Sequence, residues 1–128
     1  MPADLEAFSY TVLRVVPRVE RGERLNVGVV LFCRRAGFLG ARVELDEARL
    51  RALDPTSDPV ALSPALDALV AVAAGDPGAG PLARLDASDR VGWLAAPSST
   101  VIQPSPVHTG RCRDPAAELD RLFAQLVA

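Results

Sequence analysis

The run Val27-Gly-Val-Val-Leu-Phe-Cys33 is apolar at every position, and it limits what the chain can become. The run is far shorter than the roughly 18 residues a membrane-spanning helix needs. Successive side chains of a strand point to opposite faces. A strand from Leu25 to Phe32 is therefore apolar on both faces, with Leu25, Val27, Val29 and Leu31 alternating with Asn26, Gly28, Val30 and Phe32. Such a strand needs cover on both sides and belongs at the centre of a sheet.

Its neighbours in sequence supply partners. Residues 8–16, Phe-Ser-Tyr-Thr-Val-Leu-Arg-Val-Val, are rich in β-branched and aromatic residues and stop at Pro17, which reads as a strand. Tyr10, Val12, Arg14 and Val16 share one face, and Ser9, Thr11, Leu13 and Val15 the other. After the turn Arg34-Arg-Ala-Gly37, a third strand runs from Phe38 to Leu45, with Leu39, Ala41, Val43 and Leu45 inward and Arg42 and Glu44 outward.

Helical periods follow. Asp46 to Leu53 forms a short helix ended by Asp54-Pro55. A second helix lies within 59–74, started by either Asp58-Pro59 or Ser63-Pro64. Residues 82–88 read as a helical turn, Val91-Gly-Trp-Leu94 as a short strand, and Pro97 to Gly110 as irregular, with Val101 and Ile102 as a brief extended piece. Asp114-Pro115 opens a last helix reaching about Val127, with Leu119, Leu122, Phe123 and Leu126 on its apolar face. The expected class is α+β: a three-stranded antiparallel N-terminal sheet with helices packed on it, plus an irregular Pro-rich segment and a C-terminal helix. The 128 residues suit one domain over 1–128, its core about 8–127.

Composition excludes several functions. The 14 basic residues are all Arg, so a lysine Schiff base and a P-loop lysine are ruled out. One His, His108, and two Cys, Cys33 and Cys112, cannot build a four-ligand zinc site from Cys and His alone. Net charge is −2 and pI about 5.3, which argues against a generic nucleic-acid binder. The N-terminus, Met1 to Phe8, has neither the basic region nor the apolar region of a secretory signal. The chain is expected to be cytoplasmic, with its two thiols reduced. Glu44, Asp46 and Glu47 cluster at a strand end, but acids in a first helical turn read better as capping than as a magnesium site. No metal and no cofactor are expected.

Two segments carry the chemistry. In the first, Arg14, Arg18, Arg21 and Arg24 crowd around Glu20, Glu23, Asn26 and Gly28. Arg14 is the odd one, a guanidinium inside an apolar strand. Either it is a fork for a phosphate or carboxylate, or it pairs internally with Glu20 or Glu23; the internal pair is the expectation. Gly28 inside a strand points to a bulge or a close backbone approach, and Asn26 to a bond with a loop carbonyl. The second segment, residues 98–110, joins Gln103, Ser105, His108 and Thr109 in a Pro-stiffened stretch suited to holding a ligand or docking a partner. Ser105 and His108 are spaced for a nucleophile and base, yet such a pair still needs an orienting acid and an oxyanion hole, and no Gly-x-Ser-x-Gly elbow surrounds the serine. A lone His is more often structural. The candidate binding residues are thus Arg14, Arg18, Arg21, Glu23, Asn26, Gln103, Ser105, His108 and Thr109.

Tyr10 to Pro17, Arg21 to Phe32, and Thr100 to Gly110 followed by Asp114-Pro115 together resemble an uncharacterised bacterial family, number three thousand and thirty-seven among the domains of unknown function. The resemblance spans about Phe8 to Leu126 and implies no activity. It implies a partner by association, a HipA-like serine/threonine kinase often encoded beside such chains. The expectation is therefore a non-catalytic accessory or interaction protein, with no membrane and no nucleic acid among its partners. The alternative is a small-anion or nucleotide binder with weak phosphoryl or hydrolytic chemistry. There the arginines hold the anion, His108 acts as acid or base, and Ser105 or Glu23 assists. That alternative requires His108 close to Arg14.

Overall fold

The computed structural model describes residues 4–98 and 100–128. Residues 1–3 of the N-terminal stretch and Ser99 of the second segment lie outside them. The first three strands are β1 (Glu6–Val15), β2 (Leu25–Cys33) and β3 (Phe38–Val43). Four α-helices follow or interleave: α1 (Glu47–Leu53), α2 (Pro59–Ala74), α3 (Ala87–Leu94) and α4 (Pro115–Leu126). Two further strands, β4 (Ile102–Pro104) and β5 (His108–Cys112), come from the Pro-rich segment and its end. The antiparallel sheet runs β3-β2-β1-β4, with β5 also on β1.

The sheet thus has five strands, not three. The two extra strands are short, and prolines interrupt the segment that leads into them, so only the brief extended piece at Val101-Ile102 foreshadows β4. Proline is tolerated there because an edge strand needs ladder bonds on one side only. The expected strand at 91–94 is instead the end of α3. Asp86 caps that helix by accepting from the Asp89 backbone N–H at 3.0 Å. The start of α2 falls at Asp58-Pro59, where Asp58 accepts from the Val60 N–H. The helical turn expected at 82–88 is split between a short 3-10 turn, Pro81–Arg84, and the first turn of α3.

Both faces of the sheet are covered, as the apolar β2 demands. On one face α4 packs Leu119, Leu122 and Phe123 against Phe8, Val29, Leu31, Cys33 and Cys112. On the other, Leu13, Val15, Val27 and Val30 meet Leu50, Leu66, Val72, Ala73 and Leu94. Arg42, expected outward, lies across the Phe123 ring at 4.3 Å and pairs with Asp120 at 2.9 Å. It closes the rim of the α4 interface, a contact worth about 0.5–1 kcal/mol.

The alternation expected along β2 holds only in part. Leu13 faces Gly28 while Arg14 faces Asn26, so Val27 is an extra residue, the mark of a β-bulge. The extra residue reverses the parity. Val27 packs with Val30 in the core under α1–α3, whereas Val29 and Leu31 pack under α4. Gly28 is also where strands close in. A Cβ there would lie 2.8 Å from Val43 Cγ1, 2.9 Å from the Arg42 carbonyl oxygen and 3.3 Å from Leu13 Cδ1.

These spaces predict opposite effects at two glycines. Gly28→Ala should destabilise by about 1–3 kcal/mol through overpacking against backbone. Gly92→Ala, in α3 with nothing within 4 Å of the added carbon, should stabilise by about 0.5–1 kcal/mol. Urea denaturation of both variants against the wild type measures the pair.

Candidate functional site

The Gln103-Pro-Ser-Pro-Val-His108 stretch is built around Ser105. Leu13 faces Pro104 and Tyr10 faces His108, so the outer strand advances four residues while β1 advances three. Ser105 holds this irregular point to β1. Its backbone N–H donates to the Val12 carbonyl at 2.7 Å, and the Val12 N–H donates to Ser105 Oγ at 2.8 Å. Thr11 Oγ1 donates to the Ser105 carbonyl at 2.7 Å. Ser105 Oγ in turn donates to the Pro106 carbonyl at 2.9 Å. Thr11 and Ser105 are almost wholly buried, where each unmade bond would carry a desolvation cost. The hydroxyl proposed as a nucleophile is thus fully occupied by the fold.

The other residues of the second segment disperse along β1. Gln103 stands opposite Arg14 and donates from Nε2 to the Thr100 carbonyl at 2.8 Å. Thr109 is exposed opposite Ser9. His108 stands opposite Tyr10 and stacks on its ring at 5.2 Å between centroids. Tyr10 and Arg14 are four residues apart on one strand, about 13 Å, so the two segments adjoin while His108 and Arg14 do not meet.

In the first segment, carboxylates take up two of the arginines. Arg21 donates from Nε and Nη2 to Glu23 at 2.6 and 3.1 Å, and this fork holds the Glu23 carboxyl below its usual range. Arg18 lies 3.9 Å from Asp54. Asp54 accepts from Thr56 Oγ1 at 2.7 Å, the Thr56 N–H at 3.0 Å and Ser57 Oγ at 3.3 Å. The Thr56 hydroxyl, then its backbone N–H, are the main causes that hold this carboxyl below its ordinary 3.8. Arg18, Arg21, Glu23 and Asp54 border a polar cleft of about 500 Å³ beside Pro17 and the end of α1.

Arg14 does not make the expected pair with Glu20 or Glu23. Its Nε is buried with no hydrogen-bond partner among the described residues. Burial, and next the charge of Arg24, push its pKa down. Asn26 faces Arg14 from β2 and donates to the Leu126 carbonyl at 3.1 Å, so the carbonyl it serves belongs to the last turn of α4. The acids Asp46 and Glu47 serve α1 instead: Asp46 caps the helix through the Arg49 N–H, and Glu47 pairs with Arg51.

One feature escapes the linear pattern. An apolar groove of about 370 Å³ lies between α2, α3 and β4, lined by Leu13, Ala65, Leu69, Trp93, Ile102 and Pro104 among others. Trp93 is 47% exposed. Reading residues 91–94 as a strand hides the groove. A tryptophan on a short helix that opens with polar residues is the signal that could have found it.

Compared with known proteins, the chain matches a family model described as a protein of unknown function, DUF3037, over residues 10–127. No curated protein and no solved structure matches it.

Ser105→Ala should cost about 1–3 kcal/mol in urea denaturation, because the Val12 N–H loses its acceptor in a buried place. Asp54 gives a pH test. Its folded-state pKa is depressed, so its contribution is present above the ordinary carboxylate range and is lost as pH falls through the folded value. Asp54→Asn should therefore lower the urea midpoint at about pH 7, and the gap to wild type should close toward about pH 3.

Proposed function

Because the chain belongs to the DUF3037 family, whose description assigns no activity, we propose from its own geometry that it is a non-catalytic interaction module. It receives an apolar segment of a partner protein in the groove beside Trp93. The observation that carries this reading is the groove itself, apolar-walled with a half-exposed indole on its lip. Its volume is at the small end of ligand pockets, which run from about 300 to 1,000 Å³. That space suits one or two anchoring side chains. Large apolar anchors seated in pockets carry most of the energy of protein interfaces. The resemblance read from the sequence makes a HipA-like serine/threonine kinase the first partner to test.

The alternative, an anion or nucleotide binder with phosphoryl or hydrolytic chemistry, has one observation in its favour, the unpaired guanidinium of Arg14. That observation calls for binding and supplies no turnover. Ser105 is engaged in the sheet, and His108 stands beside Tyr10.

The test mixes the purified protein with the kinase and follows Trp93, the one tryptophan of the chain, by fluorescence. A complex on gel filtration with a blue-shifted Trp93 emission is expected. Ala65→Arg places a cation in the groove from an exposed helix position, and should weaken the complex about tenfold or more while leaving circular dichroism unchanged. No complex, or one indifferent to Ala65→Arg, overturns the reading.

A further inference from the structure

We propose that Arg14 and Arg24 form a binding site for a phosphate dianion, on the sheet face opposite the groove. The site follows from the strand register. Arg14 faces Asn26 on β2 and Gln103 on β4. Residues directly paired across antiparallel strands present their side chains on the same face, so Asn26, Arg14 and Gln103 form one polar row across three strands. The bond from Asn26 to the Leu126 carbonyl places that row on the α4 face, at the end of the helix. The groove is lined instead by Leu13, Ile102 and Pro104, whose side chains have the opposite parity.

Arg24 lies just ahead of β2, two residues before the Asn26 that faces Arg14, close enough for its charge to act on Arg14. Among the described residues no carboxylate pairs with either arginine, and Arg14 Nε is buried without a partner. Two carbonyls at the C-terminal end of α4 are used elsewhere. Leu126's carbonyl is bonded to Asn26, and Val127's accepts from Arg49 at 3.2 Å. Two guanidiniums with no internal counter-charge therefore stand together. This contrasts with Arg18 beside Asp54 and Arg21 on Glu23.

The charge selects the ligand. Two guanidiniums carry a charge of +2, which a phosphate group at about −1.5 to −2 near neutral pH offsets and a single carboxylate leaves half uncompensated. Guanidinium forks match phosphate oxygens bidentately. The Asn26 and Gln103 amides each donate one N–H to a carbonyl and carry a second, in register with Arg14. Binding would give the buried Arg14 Nε the acceptor that the fold withholds.

The experiment is isothermal titration calorimetry of the full chain with inorganic phosphate at low salt, repeated with a phosphoserine peptide. Saturable binding is expected for the wild type. Arg14→Gln and Arg24→Gln should each weaken it about tenfold or more, and both together should abolish it. Arg51→Gln removes the same charge at the Glu47 pair and should leave binding intact. Arg24 is exposed, so its variant keeps the test open should Arg14→Gln fail to fold. Tighter binding of the peptide assigns the phosphate to a modified protein side chain. Tighter binding of inorganic phosphate assigns it to a small free anion. Absence of saturable binding of either probe, or equal weakening by Arg51→Gln, overturns the proposal. Ala65→Arg should keep phosphate affinity, which separates this site from the docking reading.

Discussion

Everything in this fold leans on the requirement that β1 be paired along both edges. β1 is ten residues long and largely buried, and a buried peptide group without a partner costs as much as a lost hydrogen bond. β2 serves one edge along most of its length. The other edge is served in two pieces, β5 along Glu6–Tyr10 and β4 along Leu13–Val15. Between the pieces the register slips, and Ser105 supplies with its own backbone and hydroxyl what a regular strand would have supplied. The Pro-Ser-Pro sequence is thereby explained as backbone engineering: two residues that cannot donate, around one that can both donate and accept.

The sheet also divides the molecule chemically. Along one line of β1, Leu13 and Arg14 are successive residues that serve different faces. Leu13 floors the apolar groove, while Arg14 stands among amides at the end of α4. A strand imposes this separation by geometry alone. Two surfaces of unlike chemistry therefore sit back to back within one residue of chain, and a substitution on one side can leave the other untouched.

How much of this the sequence discloses depends on the range of the signal. The double-sided β2 is legible because apolar residues occupy both parities between Leu25 and Phe32. The start of α4 is legible because Asp114-Pro115 is a local cap, realised through the Ala116 and Ala117 N–H groups. Gly28 announces a bulge or a close approach, and the structure holds both. The face reversal at Val27 is not legible, since one unpaired residue changes parity without changing composition. β4 is legible only as a brief extended piece at Val101-Ile102, and β5 not at all, because their hydrogen bonds go to a strand about ninety or more residues earlier and prolines break up the segment before β5. The Arg14 environment is a negative fact: among the described residues no carboxylate pairs with it, although Glu20 and Glu23 stand near it in the sequence. Glu23 is taken by Arg21, two residues away and better placed.

The stitching of Ser105 to Thr11 and Val12 has a consequence for how the chain is made. During synthesis β1, β2 and β3 emerge first, but the second edge of β1 has no partner until residues 102–112 leave the ribosome. Contacts of such long separation are slow to form, and an unpaired strand edge invites association with other chains. The nascent protein thus has a stage in which a ten-residue strand is bare along one side. The cell must cover that stage with a chaperone or outrun it by folding fast.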